Sequence, residues 1–332
     1  MNNLSLRELP LEILAFHIFQ FLDDLWLFAN VRKVCHDWND IIIGKQLNII
    51  STTEHHSDTV VVEPHLGFIK KLDGVDLKQR SSRFLAFYKC CQQGYFKNIR
   101  ELCMGGLNDE HLKDDKSDFF CFFPELTILD LSCKPTLFNN HVSTYGREAL
   151  LKAQLKHLTY LNLNHCYLSW DTAARIFQVL GHTLKYLHLR QTQLSSRNYT
   201  PLMKKPLLEH VQELDVSGNK MNYELLFSAV GQSLTSLDLS SNSNINHAIE
   251  IIANSNPEKW TNLRILKLQN VHFNYETLAL LKKTTNLMNL TRLDLRGNFT
   301  SQREAKELCG VQSSLVNLVE IEHDCGVFQL GQ

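Results

Sequence analysis

Four aspartates are the most regular set of potentially catalytic side chains in this sequence. They occupy equivalent places in a repeated triplet, Leu-Asp-Leu or Leu-Asp-Val, at Asp130, Asp215, Asp238 and Asp294. Two carboxylates that face one substrate can perform general acid–base chemistry. The sequence has no phosphate-binding glycine loop, nucleophile elbow, HExxH motif or catalytic-cysteine motif to complete an active site. We therefore interpret the aspartates as part of a structural repeat and expect no enzyme activity.

The cysteines and histidines do not form a recognisable metal motif. Nine cysteines is an odd number, and no two of them form a CxxC pair. Cys35 and Cys166 lie in apolar sequence, which favours reduced, buried thiols in the cytoplasm or nucleus. We interpret the polar segment with His55 and His56 as a solvated loop. We expect neither a metal nor a cofactor.

A repeated phrase, LxxLxLxxN, organises the chain. It stands at 211–219, 234–242 and 290–298, and further copies make seven starts separated by 23 to 32 residues. In each copy the central L-x-L forms a short strand whose two apolar side chains point the same way. The other four clear copies begin at Leu126, Leu158, Leu184 and Leu263. Weaker copies are Ile99-Leu102-Met104 and, more doubtfully, Leu72-Val75-Leu77 and Leu318-Ile321.

Helices are predicted between these strands. Asn222 and Asn274 each open an Asn-Tyr-Glu phrase, and Ser169 fills the same place. Such side chains accept hydrogen bonds from the first helical turn. The predicted left-handed C-caps are Gly181, Gly231 and Gly310. The side chains expected to bond the turns between neighbouring repeats are Asn219, Asn242 and Asn298, with Cys166 and Thr192 as smaller substitutes.

The phrase and its period resemble the leucine-rich repeat. This resemblance implies an α/β solenoid of horseshoe shape, with strands on the concave face and helices on the convex face. One repeat cannot bury its own leucines, but stacking buries them at about 2 kcal/mol per aliphatic side chain.

Composition limits the partners. The 332 residues include 34 basic and 35 acidic side chains, a balance that argues against general nucleic-acid or membrane-surface binding. The N-terminus lacks a basic region before its apolar stretch, so we expect neither a signal peptide nor a membrane span.

Residues 9–38 differ in kind from the repeats. They carry LPxEIL, then an apolar helix ending in FLDDL, then VCxxW. Such a small unit cannot hide all of its apolar side chains, so some must face a partner or the repeat array. On periodicity alone, an ordinary N-terminal cap on the solenoid is the alternative interpretation of this segment.

The order of these motifs resembles the F-box. An F-box followed by leucine-rich repeats is typical of F-box/LRR substrate receptors in SCF-type cullin-RING ubiquitin ligases. The resemblance divides the chain into an all-α F-box (1–48), a linker with an irregular first repeat (49–98) and the leucine-rich-repeat domain (99–332). The matching positions are Leu9, Pro10, Glu12, Leu14, Leu22, Asp24, Leu25, Val34, Cys35 and Trp38.

The resemblance implies that the F-box docks on a SKP-type adaptor, which bridges to the cullin and RING subunits. The candidate docking residues are Leu9, Pro10, Leu14, Phe21, Leu22, Leu25, Val34, Cys35 and Trp38. An unknown target protein would bind the repeats. Tyr160 and Tyr186 share one strand position in adjacent repeats, with His188 and Arg190 beside them, and we predict that these four contact the target.

Other interpretations stay open. The chain is alternatively an interaction scaffold or inhibitor with a degenerate cap and no ligase role, or a microbial effector that uses a host ligase. The strand face is alternatively solvated with no single partner. A target can also bind the loop over 133–147, which we expect to project, or the turns after Cys325.

Overall fold

The structure is a computed structural model. The residues that it describes are 71–72, 88, 91–92, 94, 96–104, 112, 116–132, 144–194, 206–272, 275–298, 303, 307–308, 313–324 and 326–329. The expected F-box, with all nine candidate adaptor-binding residues, lies outside them, as does most of the expected linker.

Among the described residues, eleven short strands form one sheet in which spatial order follows chain order. Strands β1 to β10 are parallel, and β11 pairs antiparallel with β10. The strands are β1 Lys71–Leu72, β2 Glu101–Cys103, β3 Ile128–Asp130, β4 Tyr160–Asn162, β5 Tyr186–His188, β6 Glu213–Asp215, β7 Ser236–Asp238, β8 Ile265–Lys267, β9 Arg292–Asp294, β10 Glu320–His323 and β11 Gly326–Gln329.

A ladder of apolar side chains fixes the register of this sheet. The middle residues of the three-residue strands β2 to β9, and Ile321 on β10, pair in register from one strand to the next, and each is at most 1% exposed. Burial of this kind contributes about 2 kcal/mol per side chain. The ladder consists of Leu102, Leu129, Leu161, Leu187, Leu214, Leu237, Leu266, Leu293 and Ile321. It confirms the seven clear copies and the weaker copies at Ile99 and Leu318, and with them the leucine-rich-repeat solenoid.

The first copy was read in the wrong register. We expected Leu72 to open a phrase whose strand lay at Val75-x-Leu77. In the structure Leu72 itself pairs with Leu102, the central residue of β2. Leu72 therefore takes the ladder position that the leucine spacing predicts for Val75, three residues further on. Pairing with β2, rather than local spacing, sets the register.

In the part of the chain that the structure describes, five α-helices connect the strands. They are α1 Thr144–Ala153, α2 Trp170–Leu180, α3 Tyr223–Ala229, α4 Ile245–Asn254 and α5 Tyr275–Lys283. Short 3-10 helices span Lys116–Phe122, Pro257–Trp260 and Thr285–Leu287. No helix in the described part of the chain is both long enough and apolar enough to span a bilayer.

The predicted helix starts are confirmed where the structure describes them. Ser169 Oγ accepts from the Thr172 amide at 3.2 Å, and Asn222 Oδ1 accepts from the Leu225 amide at 3.0 Å. Asn274 lies outside the described residues. Helix α1 begins inside the segment expected to be a loop, whose first part, 133–143, is not among the described residues.

The predicted left-handed glycine caps are wrong at both positions that can be tested. Gly181 has φ −62°, and Gly231 is not among the residues with positive φ. A Cβ at Gly181 would lie 2.0 Å from the Leu207 carbonyl oxygen, and one at Gly231 would lie 2.7 Å from Glu209 Cα. These glycines therefore allow a neighbouring segment to pass against the helix end. Gly310 lies outside the described residues.

The asparagine ladder is confirmed. Asn219 Nδ2 donates to the Leu189 and Val216 carbonyls at 2.8 and 2.9 Å, so one side chain bonds turns of two repeats. Asn242 and Asn298 make the equivalent pairs of bonds. The smaller substitutes also bond neighbouring turns. Cys166 Sγ donates to the Leu131 carbonyl at 3.3 Å, and Thr192 Oγ1 lies 2.9 Å from the Leu189 carbonyl and 3.2 Å from Asn219 Oδ1.

Candidate functional site

The concave face is built from the residues that flank each buried ladder side chain. Because side chains alternate along a strand, these flanking residues point away from the core. We call the residue before the ladder position the first column, the residue after it the second column, and the residue two further on the third column. The first column runs Glu101, Ile128, Tyr160, Tyr186, Glu213, Ser236, Ile265, Arg292 and Glu320. The second column runs Cys103, Asp130, Asn162, His188, Asp215, Asp238, Lys267, Asp294 and Glu322.

Three of the four predicted target-binding residues lie together on β4 and β5. Tyr160 and Tyr186 pair in register, as their shared position in the phrase predicts, and their ring centroids are 6.3 Å apart. The His188 ring centroid lies 5.2 Å from that of Tyr160. Tyr186 is 39% exposed, which is high for so large a side chain. We call these three residues the aromatic patch.

Arg190, the fourth predicted residue, lies in the third column just past β5. Its backbone amide donates to Asn164 Oδ1 at 2.7 Å, which fixes its position in the turn. Its side chain is exposed. Arg190 therefore borders the aromatic patch without joining its ring contacts.

Glu213 lies next to the aromatic patch in the first column, where it pairs in register with Tyr186. Its Oε1 lies 3.6 Å from His188 Nε2, and its side chain is 41% exposed. Burial raises the pKa of Tyr160, and the charges of Asp130 and Glu213 raise it further. Tyr160 therefore keeps its proton at neutral pH and can donate a hydrogen bond.

The four aligned aspartates all hold turns. Each accepts a hydrogen bond from the amide two residues further on, at 2.8 Å for Asp130, 2.9 Å for Asp215 and Asp238, and 3.1 Å for Asp294. Asn162 makes the same bond to the Asn164 amide at 3.0 Å. Because a neutral side chain accepts the same turn bond, the bond does not require a carboxylate charge, which fits a structural role for the four aspartates. Among the described residues, no group of three or more His, Cys, Asp or Glu side chains is arranged to hold a metal ion.

Two of these aspartates lie side by side in the middle of the face. Asp215 and Asp238 pair in register on β6 and β7, and we call them the acidic pair. Burial raises the pKa of Asp238, and the neighbouring charge of Asp215 raises it further, against hydrogen bonds from Ser240 and the charge of Lys267. Lys267 Nζ lies 3.7 Å from Asp238 Oδ2. Like charges directly opposite on a sheet are unfavourable.

Further along, five side chains form what we call the C-terminal ion-pair network. Arg292 lies 2.9 Å from Glu320 and 3.0 Å from Glu322. Arg296 lies 2.6 Å from Asp294 and 3.0 Å from Glu322. Burial alone would raise the pKa of Asp294, but hydrogen bonds from Arg296 and Gln269 outweigh it and hold that pKa below its usual value.

Sequence reasoning missed the link between the aromatic patch and the acidic residues. It did not place Glu213 beside Tyr186, and it treated the aspartates only as repeat positions. Alignment of the phrases into columns would have shown both neighbour relations, because adjacent repeats stack strand on strand.

The strand register, the buried ladder and the open concave face define a leucine-rich-repeat solenoid with a surface suited to protein–protein interaction. A scan against protein-family models finds no match, and a search of curated proteins finds no relative.

Solved structures with a similar chain path are leucine-rich-repeat proteins. LegL7 from Legionella pneumophila is 20% identical with a TM-score of 0.48, over 79% of this chain and 86% of that one. The internalin inlF from Listeria monocytogenes is 17% identical with a TM-score of 0.40, over 70% of this chain and 63% of that one. Internalin C2 from the same species is 19% identical with a TM-score of 0.39, over 61% of this chain and 74% of that one. TM-scores this low add nothing to the fold that the register and ladder define.

Proposed function

We propose that this protein is a non-catalytic substrate-recognition subunit of an SCF-type ubiquitin ligase in the cytoplasm or nucleus. Residues 1–48 bind a SKP-type adaptor, which carries the cullin and RING subunits, and the repeats bind a target protein. Holding the target near the ubiquitin-loading machinery raises its effective concentration there. Ubiquitination and proteasomal degradation of the target follow.

One observation carries the ligase role. LPxEIL, FLDDL and VCxxW stand in that order before the repeats, within residues 9–38. Leu9, Trp38 and the apolar residues between them are too many for a small helical unit to bury internally. An adaptor surface that covers them would gain the concentrated apolar contacts typical of interface hot spots.

The repeat array supports the target-binding half of the proposal. Its ladder leucines are buried in the core, so the sheet presents the side chains of the concave columns to solvent. Tyr186 is exposed there next to Tyr160, and tyrosine is enriched among interface residues that contribute most to affinity.

Adaptor capture by the full-length chain tests the ligase role. Wild type should retain a purified SKP-type adaptor, and the double substitution Leu9→Ala with Trp38→Ala should reduce its affinity at least about tenfold. Tyr186→Ala, on the repeats, is the matched control and should leave adaptor binding unchanged.

A wild-type chain that fails to bind the adaptor would refute the ligase role. The same chain still capturing proteins through its concave face would then favour the interaction scaffold or inhibitor.

A further inference from the structure

Charge is distributed unevenly between the concave face and the rest of the chain. The three columns from β2 to β10 contain nine carboxylates and four cationic side chains. The whole chain is almost balanced, with 35 acidic and 34 basic residues. The acidic surplus is therefore concentrated on the face that presents the aromatic patch. The carboxylates are Glu101, Asp130, Glu213, Asp215, Asp238, Asp294, Glu320, Glu322 and Asp324, and the cations are Arg190, Lys267, Arg292 and Arg296.

The surplus is less compensated in the middle of the face than at its C-terminal end. At the C-terminal end, Arg292 and Arg296 each lie within 3.0 Å of two carboxylates. On β6 and β7 the compensation is weaker: Lys267 approaches Asp238 only to 3.7 Å, and His188 approaches Glu213 to 3.6 Å and balances it only when protonated.

From these observations we infer that the target docks through a basic segment whose arginine side chains lie across β4 to β7, stacked on the aromatic patch and paired with Glu213 and the acidic pair. This inference rests on the target-binding half of the proposed function and is independent of the ligase half. It names the chemistry of the segment that the concave face selects.

Arginine fits this surface better than lysine does. Its planar guanidinium stacks on aromatic rings and pairs with carboxylates in a two-pronged geometry, while an ammonium acts as a point charge. Tyr186 and Glu213 are neighbours in register, so one guanidinium can contact the Tyr186 ring and the Glu213 carboxylate together. A cation placed between Asp215 and Asp238 would also relieve the repulsion of two like charges on adjacent strands.

The spacing matches an extended segment that runs across the strands. The Tyr186–Glu213 pair lies between β5 and β6, and the acidic pair lies between β6 and β7. The two pairs are one strand spacing apart across the sheet, about 4.8 Å, and two residues apart along it, about 7 Å, so their centres are about 8 Å apart. In a polyproline II segment, side chains three positions apart point the same way and lie about 9 Å apart. Arginines three positions apart can therefore reach Glu213 beside Tyr186 and the acidic pair at the same time.

Fluorescence anisotropy with the purified full-length chain tests this inference. The probe is a fluorescein-labelled nonapeptide with arginine at its second, fifth and eighth positions and serine elsewhere. Its control replaces each arginine with citrulline, which has nearly the same shape and no charge. We expect the arginine probe to bind at least about tenfold more tightly than the citrulline probe, and its affinity to fall as salt is raised.

Two matched triple variants locate the binding. Glu213→Gln with Asp215→Asn and Asp238→Asn removes three charges from the middle of the face and should weaken the arginine probe at least about tenfold. Glu320→Gln with Glu322→Gln and Asp324→Asn removes the same charge from the C-terminal end and should change affinity less than about twofold. Circular dichroism checks folding, and the single variant Glu213→Gln, on an exposed side chain, tests the middle if the triple variant unfolds.

Three results would overturn the inference. They are equal binding of the arginine and citrulline probes, equal loss in the two triple variants, and no binding of the arginine probe by wild type. Preference for a probe with glutamate at the same three positions would instead assign the surface to an acidic segment held by Arg190 and Lys267. Adaptor capture, measured on the same samples, separates failure here from failure of the ligase role.

Discussion

The middle of the concave face, β4 to β7, and its C-terminal end, β8 to β11, are built from the same repeat but differ in how they treat charge. At the end, Arg292 and Arg296 neutralise the carboxylates around them. In the middle, Asp215 and Asp238 face each other, and aromatic rings stand next to Glu213. Equivalent positions of the repeat can therefore carry charges that pair with each other within the protein, or charges that remain available to a partner.

The ion pairs at the C-terminal end are not explained by a contribution to folding stability. Half-exposed ion pairs contribute little to folding, because solvent screens them and ordering the side chains costs entropy. Arg292 is 51% exposed and Arg296 52%. We attribute a local effect to the C-terminal network instead: it pairs the charges at that end of the face. A charged partner therefore gains more binding energy from the carboxylates in the middle than from those at the C-terminal end.

The largest predicted effect tests whether the two regions share one scaffold. Leu237→Ala under the middle and Leu293→Ala under the C-terminal end each remove a ladder side chain that is at most 1% exposed. Both should lower the free energy of unfolding by about 3 kcal/mol, through lost burial and the cavity left behind. Urea denaturation followed by circular dichroism measures it. A large difference between the two variants would mean that the scaffold itself differs between the regions.

The second prediction concerns target capture. Tyr186→Ala should reduce the proteins retained by the immobilised full-length chain at least about tenfold, as loss of an interface anchor does. Arg292→Ala, at an equivalent first-column position, should reduce them less than about twofold. Quantitative mass spectrometry of the retained proteins compares the variants. Equal losses would remove the functional distinction between the two regions.

The third prediction contrasts two aspartates at the same repeat position. The pKa of Asp294 is lowered in the folded protein, so its charge stabilises the fold above the ordinary value of 3.8, and this stability is lost as pH falls through the folded pKa. The pKa of Asp238 is raised, so its charge costs stability above the folded pKa, and the cost disappears below 3.8. Asparagine keeps the turn bond at both positions, as Asn162 shows.

Asp294→Asn should therefore destabilise the protein at pH 7 by about 1 to 2 kcal/mol, because a charge-assisted bond becomes a neutral one. Asp238→Asn should stabilise it by up to about 1 kcal/mol, because a like-charge contact is relieved. Both differences from wild type should shrink at acidic pH as the wild-type carboxylates take up protons. Chemical denaturation at pH 7 and near pH 3 measures this, and equal signs at pH 7 would contradict the assignment.

The smallest predicted effect is on the network itself. Arg292→Gln should change the free energy of unfolding by less than about 1 kcal/mol, because its ion pairs are half-exposed. A loss of several kcal/mol in thermal or urea unfolding would show that the network stabilises the fold after all, and the interpretation of the two regions would have to change.

The strands were predictable because their signal is local. Alternation of apolar residues over three positions, repeated every 23 to 32 residues, predicts β3 to β9 from the sequence alone. Helix starts at Ser169 and Asn222 were predictable for the same reason, since the cap and the amide that it bonds are three residues apart.

The errors all involve contacts between repeats. Gly181 and Gly231 looked like turn-forming glycines, but the Leu207 and Glu209 backbones are what exclude a side chain there. The register of the first copy depended on how Leu72 pairs with Leu102. The local sequence pattern does not show which backbone segment, distant in sequence, will pack against a residue.

The same division applies to the site. Residue types and repeat positions determined that Tyr160 and Tyr186 share a slot, and that four aspartates belong to a turn. Aligned phrases make Tyr186 and Glu213, and Asp215 and Asp238, neighbours in their columns, and the strand register places them side by side. Only the tertiary structure decided that Arg292 and Arg296 are occupied by carboxylates. The physical reason is that each of these relations except the Arg296–Asp294 pair joins residues more than twenty positions apart, and only the stacking of repeats brings such residues together.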